Sequence, residues 1–140
     1  MLRLPRQLYD QIIAHCQAQY PKEACGILAG LNGKVERVFP MTNVDDSPIS
    51  YAFDPNEQLR VQKAMAGGKL DLLAIYHSHT ATAASPSPVD VARASEPGVA
   101  LLMPDVHYVL VSLKDRRQPD IKNYTIREGE AFPNDLQFLS

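Results

Sequence analysis

Two histidines separated by a single residue, His77 and His79, are the side chains of this sequence best suited to chemistry. Ser87 and Asp90 follow them closely along the chain. Neutral imidazole nitrogens and a carboxylate oxygen are normal zinc donors, and three protein ligands leave a fourth position for a water molecule. Zinc can lower the pKa of such a water to about 7. The spacing therefore predicts a zinc site with an open position for chemistry, held by His77, His79 and Asp90.

Local structure explains how these side chains can meet. Residues 70–76 are apolar enough for a central strand that ends in the histidines. Side chains alternate along a strand, so His77 and His79 share a face with Cα atoms roughly 6.5 Å apart, while Ser78 points to the other face. Pro88 favours a helix start, which places Ser87 at the N-cap and Asp90 at the third helical residue. Without the histidines, Ser87 and Asp90 would be read as a capping arrangement only.

Hydrolysis also needs a proton acceptor that later becomes a donor to the leaving group. Glu23 is the best candidate, because it begins an apolar stretch in which few polar side chains belong. A partly desolvated carboxylate beside zinc can move a proton from the attacking water to a leaving amine. Ser87 could donate a hydrogen bond to the oxyanion of a tetrahedral intermediate. The alternative for Glu23 is an ordinary surface carboxylate, since no spacing rule links it to the other residues.

The remaining reactive side chains favour structural roles. His15, on a helix, and His107, at a strand start, are expected to be structural or to face solvent. Cys25 is expected to be a small buried core residue, because no second Cys or His lies near it in sequence. The only other cysteine in the sequence is Cys16, so no disulfide framework is indicated, and a reducing cytoplasm is the predicted location. The charged pairs at 45–46 and 116–117 are expected in loops and turns.

The order of elements indicates the fold. A helix is predicted over 5–20, a hairpin over 23–31 and 34–42 with its turn at Asn32-Gly33, a loop over 43–50, and an extended segment over 51–53. Asp54 as N-cap and Pro55 predict a second helix to about 66, with Glu57 returning a bond to the amide of the cap. Further strands are predicted over 99–103, 106–113 and 121–126, and the last ten residues show little pattern. We expect a mixed sheet with helices packed against it, an α/β or α+β sandwich.

Length and charge exclude several classes of protein. A chain of 140 residues is most simply one domain, residues 1–140. The net charge of −2 provides no broad basic surface, so neither nucleic acid nor a membrane is an expected partner. The N-terminus lacks the apolar run of a signal peptide, and no stretch approaches the ~20 apolar residues that span a bilayer. A cytidine deaminase is disfavoured, because its His-x-Glu and Pro-Cys-x-x-Cys signature is missing.

The set formed by Glu23, the His77-Ser78-His79 segment, Ser87 and Asp90 resembles the JAMM motif of the MPN+ metalloproteases. Residues 21–30 and 51–55 are also similar to that family, and the likeness covers about residues 5–113. It implies that His77, His79 and Asp90 bind one Zn²⁺ per chain, that Glu23 is the general acid/base and that Ser87 stabilises the oxyanion. The implied fold is a cytidine-deaminase-like α/β/α sandwich with a central mixed β-sheet and the zinc site at a strand end.

The short chain most resembles the stand-alone prokaryotic members of that family. These cut after the C-terminal Gly-Gly of ubiquitin-like sulfur-carrier proteins, so the resemblance implies a zinc metallopeptidase or isopeptidase with such a carrier as substrate and partner. The alternatives are a deubiquitinase-like or desampylase-like isopeptidase, a phage-tail or cell-wall peptidase of the same fold, and a non-catalytic MPN binding scaffold. One departure is Thr80, where the family usually has proline after the second histidine. The oligomeric state is left open, a homodimer included.

Overall fold

A mixed β-sheet carries the candidate residues. The computed structural model describes residues 1–94 and 105–140, and in these it has eight strands and three helices. The strands are β1 (Leu2–Pro5), β2 (Cys25–Leu31), β3 (Lys34–Met41), β4 (Asp71–His79), β5 (His107–Ser112), β6 (Asp120–Arg127), β7 (Glu130–Asn134) and β8 (Leu136–Leu139). The helices are α1 (Arg6–Gln19), α2 (Pro55–Gly67) and α3 (Pro88–Ala94).

The strand order is β7-β6-β5-β4-β2-β3-β1-β8. Strand β4 runs parallel to β5 and antiparallel to β2, and β1 runs parallel to both β3 and β8. The predicted central mixed sheet is therefore confirmed. Because β4 lies in the middle, its last residues are fixed on both sides by neighbouring strands.

Helices cover both faces of the sheet. Alternate residues of the central strands point to opposite sides, so Ala74 and Tyr76 belong to the apolar cluster that contains α1, whereas Ile75 belongs to the cluster that contains the end of α3. Helix α2 packs through Val61 and Met65 against the same side as α3. The chain therefore forms three layers, helix, sheet and helices. No helix in the described ranges is long and apolar enough to cross a membrane.

Most predicted elements agree with the structure to within two residues. The turn at Asn32 and Gly33 has φ angles of 53° and 76°, as the tight turn of a hairpin requires. Strand β2 begins at Cys25, so Glu23 lies just before the strand rather than at its first position. The predicted strand at 99–103 falls outside the described residues.

Helix α2 starts as predicted, but one detail of its cap is different. The Asp54 carboxylate accepts the amide hydrogens of Asn56 and Glu57, at 2.8 and 3.5 Å. The Glu57 carboxylate does not return to the cap. It instead accepts two hydrogen bonds from Thr42, one from the amide at 2.6 Å and one from the hydroxyl at 3.0 Å. Glu57 therefore ties α2 to the end of β3.

The two ends of the chain form strands that the sequence pattern does not predict. Leu2 and Leu4 are fully buried in β1, which pairs with β8. The last ten residues form β7 and β8, at opposite ends of the strand order, with only Asp135 between them. The sheet must therefore curve enough to bring the end of one edge strand beside the start of the other at Asp135. These short strands owe their conformation to pairing with distant partners rather than to an alternating pattern of their own.

Candidate metal centre and acid/base residue

His77 and His79 converge from the end of β4. They lie on the side of the sheet covered by α2 and α3, and both are almost completely buried. Their Nε2 atoms are 3.2 Å apart. Ser78 faces the α1 side, where its hydroxyl accepts the amide hydrogen of Ala24 at 2.8 Å. The predicted division of these three side chains between the two faces is confirmed.

Asp90 completes the cluster from the first turn of α3. Its Oδ2 atom lies 3.2 Å from Nε2 of His77 and 3.0 Å from Nε2 of His79. The same oxygen accepts the amide hydrogen of Ser87 at 2.9 Å, and the Ser87 hydroxyl accepts the amide hydrogen of Asp90 at 3.1 Å. The cap and the cluster are thus one arrangement, in which the bond from the Ser87 amide holds the carboxylate beside the two imidazoles.

The donor atoms fit a tetrahedral metal ion. Zinc bonds of about 2.0–2.1 Å at tetrahedral angles place neighbouring donor atoms roughly 3.3 Å apart, close to the separations found here. The Nδ1 atom of His79 lies 2.9 Å from the carbonyl oxygen of Ala83, which can only accept, so this nitrogen carries the proton. In the neutral ring Nε2 then keeps its lone pair, which faces an oxygen of Asp90 at 3.0 Å. A cation between them is the natural partner for both.

The electrostatics of His77 and Asp90 favour the forms in which they can bind a metal ion. Burial lowers the pKa of His77, which favours the neutral imidazole that metals bind. Burial alone would raise the pKa of Asp90, but the adjoining imidazoles of His77 and His79 and the amide hydrogen of Ser87 outweigh it and hold that pKa far below its ordinary value. The carboxylate is therefore ionised and available as a ligand.

Glu23 lies beside the cluster without a hydrogen bond to it. Its amide donates to the carbonyl of Ser47 at 2.9 Å and its carbonyl accepts from Asn43 at 3.0 Å, so the backbone is held on both sides. The residue is only 4% exposed, and among residues 1–94 and 105–140 no partner lies within hydrogen-bond distance of Oε1. Burial raises the pKa of this carboxyl to about 7, against the opposing effect of His79. A surface carboxylate does not have these properties.

Two further residues support the cluster. The Tyr51 ring stacks on His77 with centroids 4.5 Å apart and planes at 25°. The Arg93 guanidinium donates to the carbonyl of Tyr51 and pairs with Asp45 at 3.1 Å, which joins α3 to the loop before α2. Sequence reasoning assigned no site role to Tyr51 or Arg93. Tyr51 stands in a segment similar to the family pattern, which was the only signal that pointed to it.

The other histidines have structural contacts. His15 on α1 is hydrogen-bonded to the Tyr76 hydroxyl at 2.7 Å, and His107 to the Asn123 side chain. Cys16 and Cys25 are free and buried, and burial raises the pKa of each thiol to about 12. Neither thiol is a nucleophile at neutral pH, in agreement with the prediction for Cys25.

A cavity of about 360 Å³ adjoins Glu23. It lies between the end of α1 and the end of β3, and an ion pair between Lys22 and Asp46, 2.6 Å long, stands in its wall. None of the three converging residues lines it. The cavity is therefore a space beside the acid/base candidate rather than over the metal cluster.

Comparisons with known proteins agree with this architecture. Residues 5–127 match the family described as prokaryotic homologs of the JAB domain. The chain is 43% identical to the CysO-cysteine peptidase of Mycobacterium tuberculosis over 131 aligned residues. The alignment covers 92% of this chain and 85% of the relative.

Solved structures show the same fold. A protein from Desulfitobacterium hafniense superimposes with a TM-score of 0.86 at 31% identity, over 99% of this chain and 93% of the other. A JAB1/MPN domain protein from Archaeoglobus fulgidus superimposes with a TM-score of 0.59 at 16% identity, over 100% and 98% of the two chains. The second likeness concerns the fold alone, and it agrees with the resemblance to MPN+ proteins. The chain belongs to the family of prokaryotic homologs of the JAB domain.

Proposed function

We propose that this protein is a zinc-dependent peptidase that hydrolyses the amide bond after the C-terminal Gly-Gly of a ubiquitin-like sulfur-carrier protein. The observation that carries the proposal is the convergence of His77, His79 and Asp90 beside a carboxyl, Glu23, whose pKa is raised to about 7. The name of the mycobacterial relative, a CysO-cysteine peptidase, supports a peptidase that acts on a specific conjugate.

His77, His79 and Asp90 would hold one zinc ion per chain. When bound there, the ion supplies Lewis-acid activation of a water molecule and of the scissile carbonyl. The buried imidazoles and the capped carboxylate hold their donor atoms in place before any ion arrives. Little reorganisation is then needed on binding.

Glu23 would move the proton. As the water oxygen bonds to the carbonyl carbon, the Glu23 carboxylate takes a proton from the water, and it gives this proton to the amide nitrogen as the carbon–nitrogen bond breaks. The products are a carboxylic acid on the carrier tail and a free amine, and at neutral pH the acid then loses its proton to the amine or to solvent. A pKa near 7 suits both halves of this task at neutral pH, because neither form of the group is strongly disfavoured.

Ser87 would stabilise the negative charge that develops on the carbonyl oxygen. Its oxygen accepts the amide hydrogen of Asp90, and this bond does not use the hydroxyl hydrogen, which can donate to the substrate. Removal of one such donor typically slows catalysis by 10²–10³-fold. The roles of Ser87 in the cap and in catalysis are compatible, because they use different parts of the hydroxyl.

The extended tail of a carrier fits this kind of site. Glycines let the scissile carbonyl approach a metal closely, since they have no side chain to collide with the surrounding strands. The rest of the specificity must come from the folded body of the carrier. An isopeptidase acting on protein conjugates would use the same cluster and the same Glu23.

The test uses purified full-length protein and a carrier whose Gly-Gly is followed by cysteine or by a peptide. We expect about one zinc per chain, cleavage directly after Gly-Gly, and a loss of cleavage in Glu23→Gln that leaves the zinc content unchanged. A panel of carrier–peptide, carrier–lysine and murein substrates separates the alternative peptidases. Zinc-loaded protein that binds the carrier tightly and never cleaves it would identify a scaffold instead.

A further inference from the structure

The loop that follows His79, residues 80–86, is held by an unusual set of bonds. Its side chains are small, and its three successive carbonyls at 82, 83 and 84 accept hydrogen bonds from side chains of the sheet. The Ser112 hydroxyl donates to the first at 2.6 Å, His79 Nδ1 to the second at 2.9 Å, and the Tyr124 hydroxyl to the third at 3.0 Å. The loop is thus attached to the sheet through its backbone.

The three donors stand on three adjacent strands, β5, β4 and β6. Ser112 lies directly opposite His79 in the register of β4 and β5, and Tyr124 is anchored by pairing with Tyr108. Ser112 is 6% exposed and Tyr124 is 9% exposed, so water does not compete freely for these bonds. The donors are therefore as fixed as the central sheet itself.

We propose that Ser112 and Tyr124 are positioning residues for His79. By holding the carbonyls on either side of Ala83, they place the Ala83 oxygen where it accepts the Nδ1 hydrogen of His79. That bond fixes the tautomer and the plane of the ring, so Nε2 faces the cluster with its lone pair. Groups bonded directly to a metal ligand typically change metal affinity by 10-fold to 100-fold when removed, and the Ala83 carbonyl that Ser112 and Tyr124 hold in place is such a group. The inference rests on the metal role proposed for His79 above.

The composition of the loop explains why remote anchors are needed. Alanine side chains at 81, 83 and 84 offer no polar group that could hold the loop to the sheet. The hydroxyl of Thr80, which stands where the family usually has proline, donates an exposed bond of 3.3 Å to the carbonyl of Pro48, its only hydrogen bond within residues 1–94 and 105–140. Within the loop, the Ser85 amide donates to the Ala83 carbonyl at 2.9 Å, and the bonds from Ser112 and Tyr124 attach the carbonyls on either side of it to the sheet.

Conservative variants remove the bonds and little else. Ser112→Ala and Tyr124→Phe, alone and combined, lose only hydroxyl groups, and Tyr108→Phe is the matched control. Tyr108 is a buried tyrosine of the same apolar cluster, and among the described residues its hydroxyl donates to none of the three carbonyls. The metal is removed from full-length protein with EDTA, and zinc affinity is then measured by competition with a chelator of known affinity.

We expect zinc to bind the double variant 10-fold to 100-fold more weakly than wild type. The zinc affinity of each single variant should lie between those of wild type and the double variant, and that of Tyr108→Phe should equal that of wild type. A second readout is the Nδ1–H resonance of His79 in zinc-loaded protein, assigned from its loss in His79→Gln. In wild type this proton should exchange slowly with water, and in the double variant at least 10-fold faster.

Unchanged zinc affinity in the double variant would overturn the proposal. An equal loss of zinc affinity in Tyr108→Phe would also overturn it, because it would indicate a general loosening of the fold. Slow exchange of the His79 proton in every variant would overturn it too, because the removed bonds would then have no effect on that ring. Wild-type protein that binds no zinc would reject the metal centre and this inference together. Wild-type protein that binds zinc and cleaves no carrier would reject only the proposed function, and the affinity series would still decide the roles of Ser112 and Tyr124.

Discussion

Replacing the carboxyl of Glu23 by an amide should make the metal-free protein more resistant to unfolding at alkaline pH. The residue is 4% exposed, and burial raises the pKa of its carboxyl from an ordinary 4.5 to about 7, partly opposed by His79. The charged form loses its water in the folded protein and gains no hydrogen bond at Oε1 from the described residues. The folded state therefore prefers the protonated form.

The size of the effect follows from linkage. A pKa raised from 4.5 to about 7 corresponds to about 3 kcal/mol of unfolding free energy. Because the folded pKa is the higher one, this stability is fully present below pH 4.5 and is lost as the pH rises through about 7. An amide does not ionise. Between pH 5 and pH 8, the unfolding free energy of Glu23→Gln should therefore rise relative to wild type by about 2 kcal/mol.

The assay is urea unfolding of EDTA-treated wild type and Glu23→Gln at both pH values. Glu36→Gln is the control, because Glu36 is an exposed carboxylate on β3 and its replacement leaves the core unchanged. A free-energy difference between Glu23→Gln and wild type that is the same at pH 5 and pH 8 would refute the reasoning. Zinc should reduce the pH-dependent difference, since a nearby cation favours the charged carboxylate.

Substitutions at three other positions, Asp90, Ser87 and Gly26, test separate parts of the site and the fold. Asp90→Asn should abolish stoichiometric zinc binding in metal analysis, whereas Asp71→Asn, exposed at the start of β4, should retain it. Ser87→Ala and Ser87→Gly should both lower kcat/KM by about 10²-fold or more. Only the alanine variant should also lower the free energy of unfolding in urea, by about 1 kcal/mol, because glycine is a tolerated cap. A kcat/KM equal to that of wild type in both variants would exclude the oxyanion role. Gly26→Ala should destabilise the protein by about 1–3 kcal/mol, because the added Cβ collides with the buried Tyr76 ring; unchanged thermal unfolding would contradict this packing.

Local chemistry made part of the structure predictable. The cap and proline at 54–55 define the start of α2, and the Asn32-Gly33 turn defines the hairpin of β2 and β3. The convergence of His77 and His79 follows from the period of a strand, and the position of Asp90 from the first turn of a helix. In each of these cases the determining contacts lie within a few residues of one another, so the sequence displays them directly.

The unpredicted parts depend on contacts between residues far apart in the chain. Tyr51 meets His77 across 26 positions, and no spacing rule connects an aromatic residue in a loop with the end of a later strand. Strand β8 forms because its backbone pairs with β1 at the opposite end of the chain. Arg93 finds its partners in another loop, 42 and 48 positions away. Such contacts are decided by the completed sheet.

The Ser87–Asp90 pair shows why a structural explanation does not compete with a functional one here. A free carboxylate on a flexible side chain would lose rotamer freedom on binding a metal, and that loss would weaken the site. The Ser87 amide already holds this carboxylate at 2.9 Å in the folded protein, and the Ser87 hydroxyl holds the Asp90 backbone amide at 3.1 Å. The fixed Oδ2 then lies within 3.2 Å of both imidazoles. The cap therefore prepares Asp90 for the ligand role proposed above, and a helix start without it would place the same carboxylate less reliably.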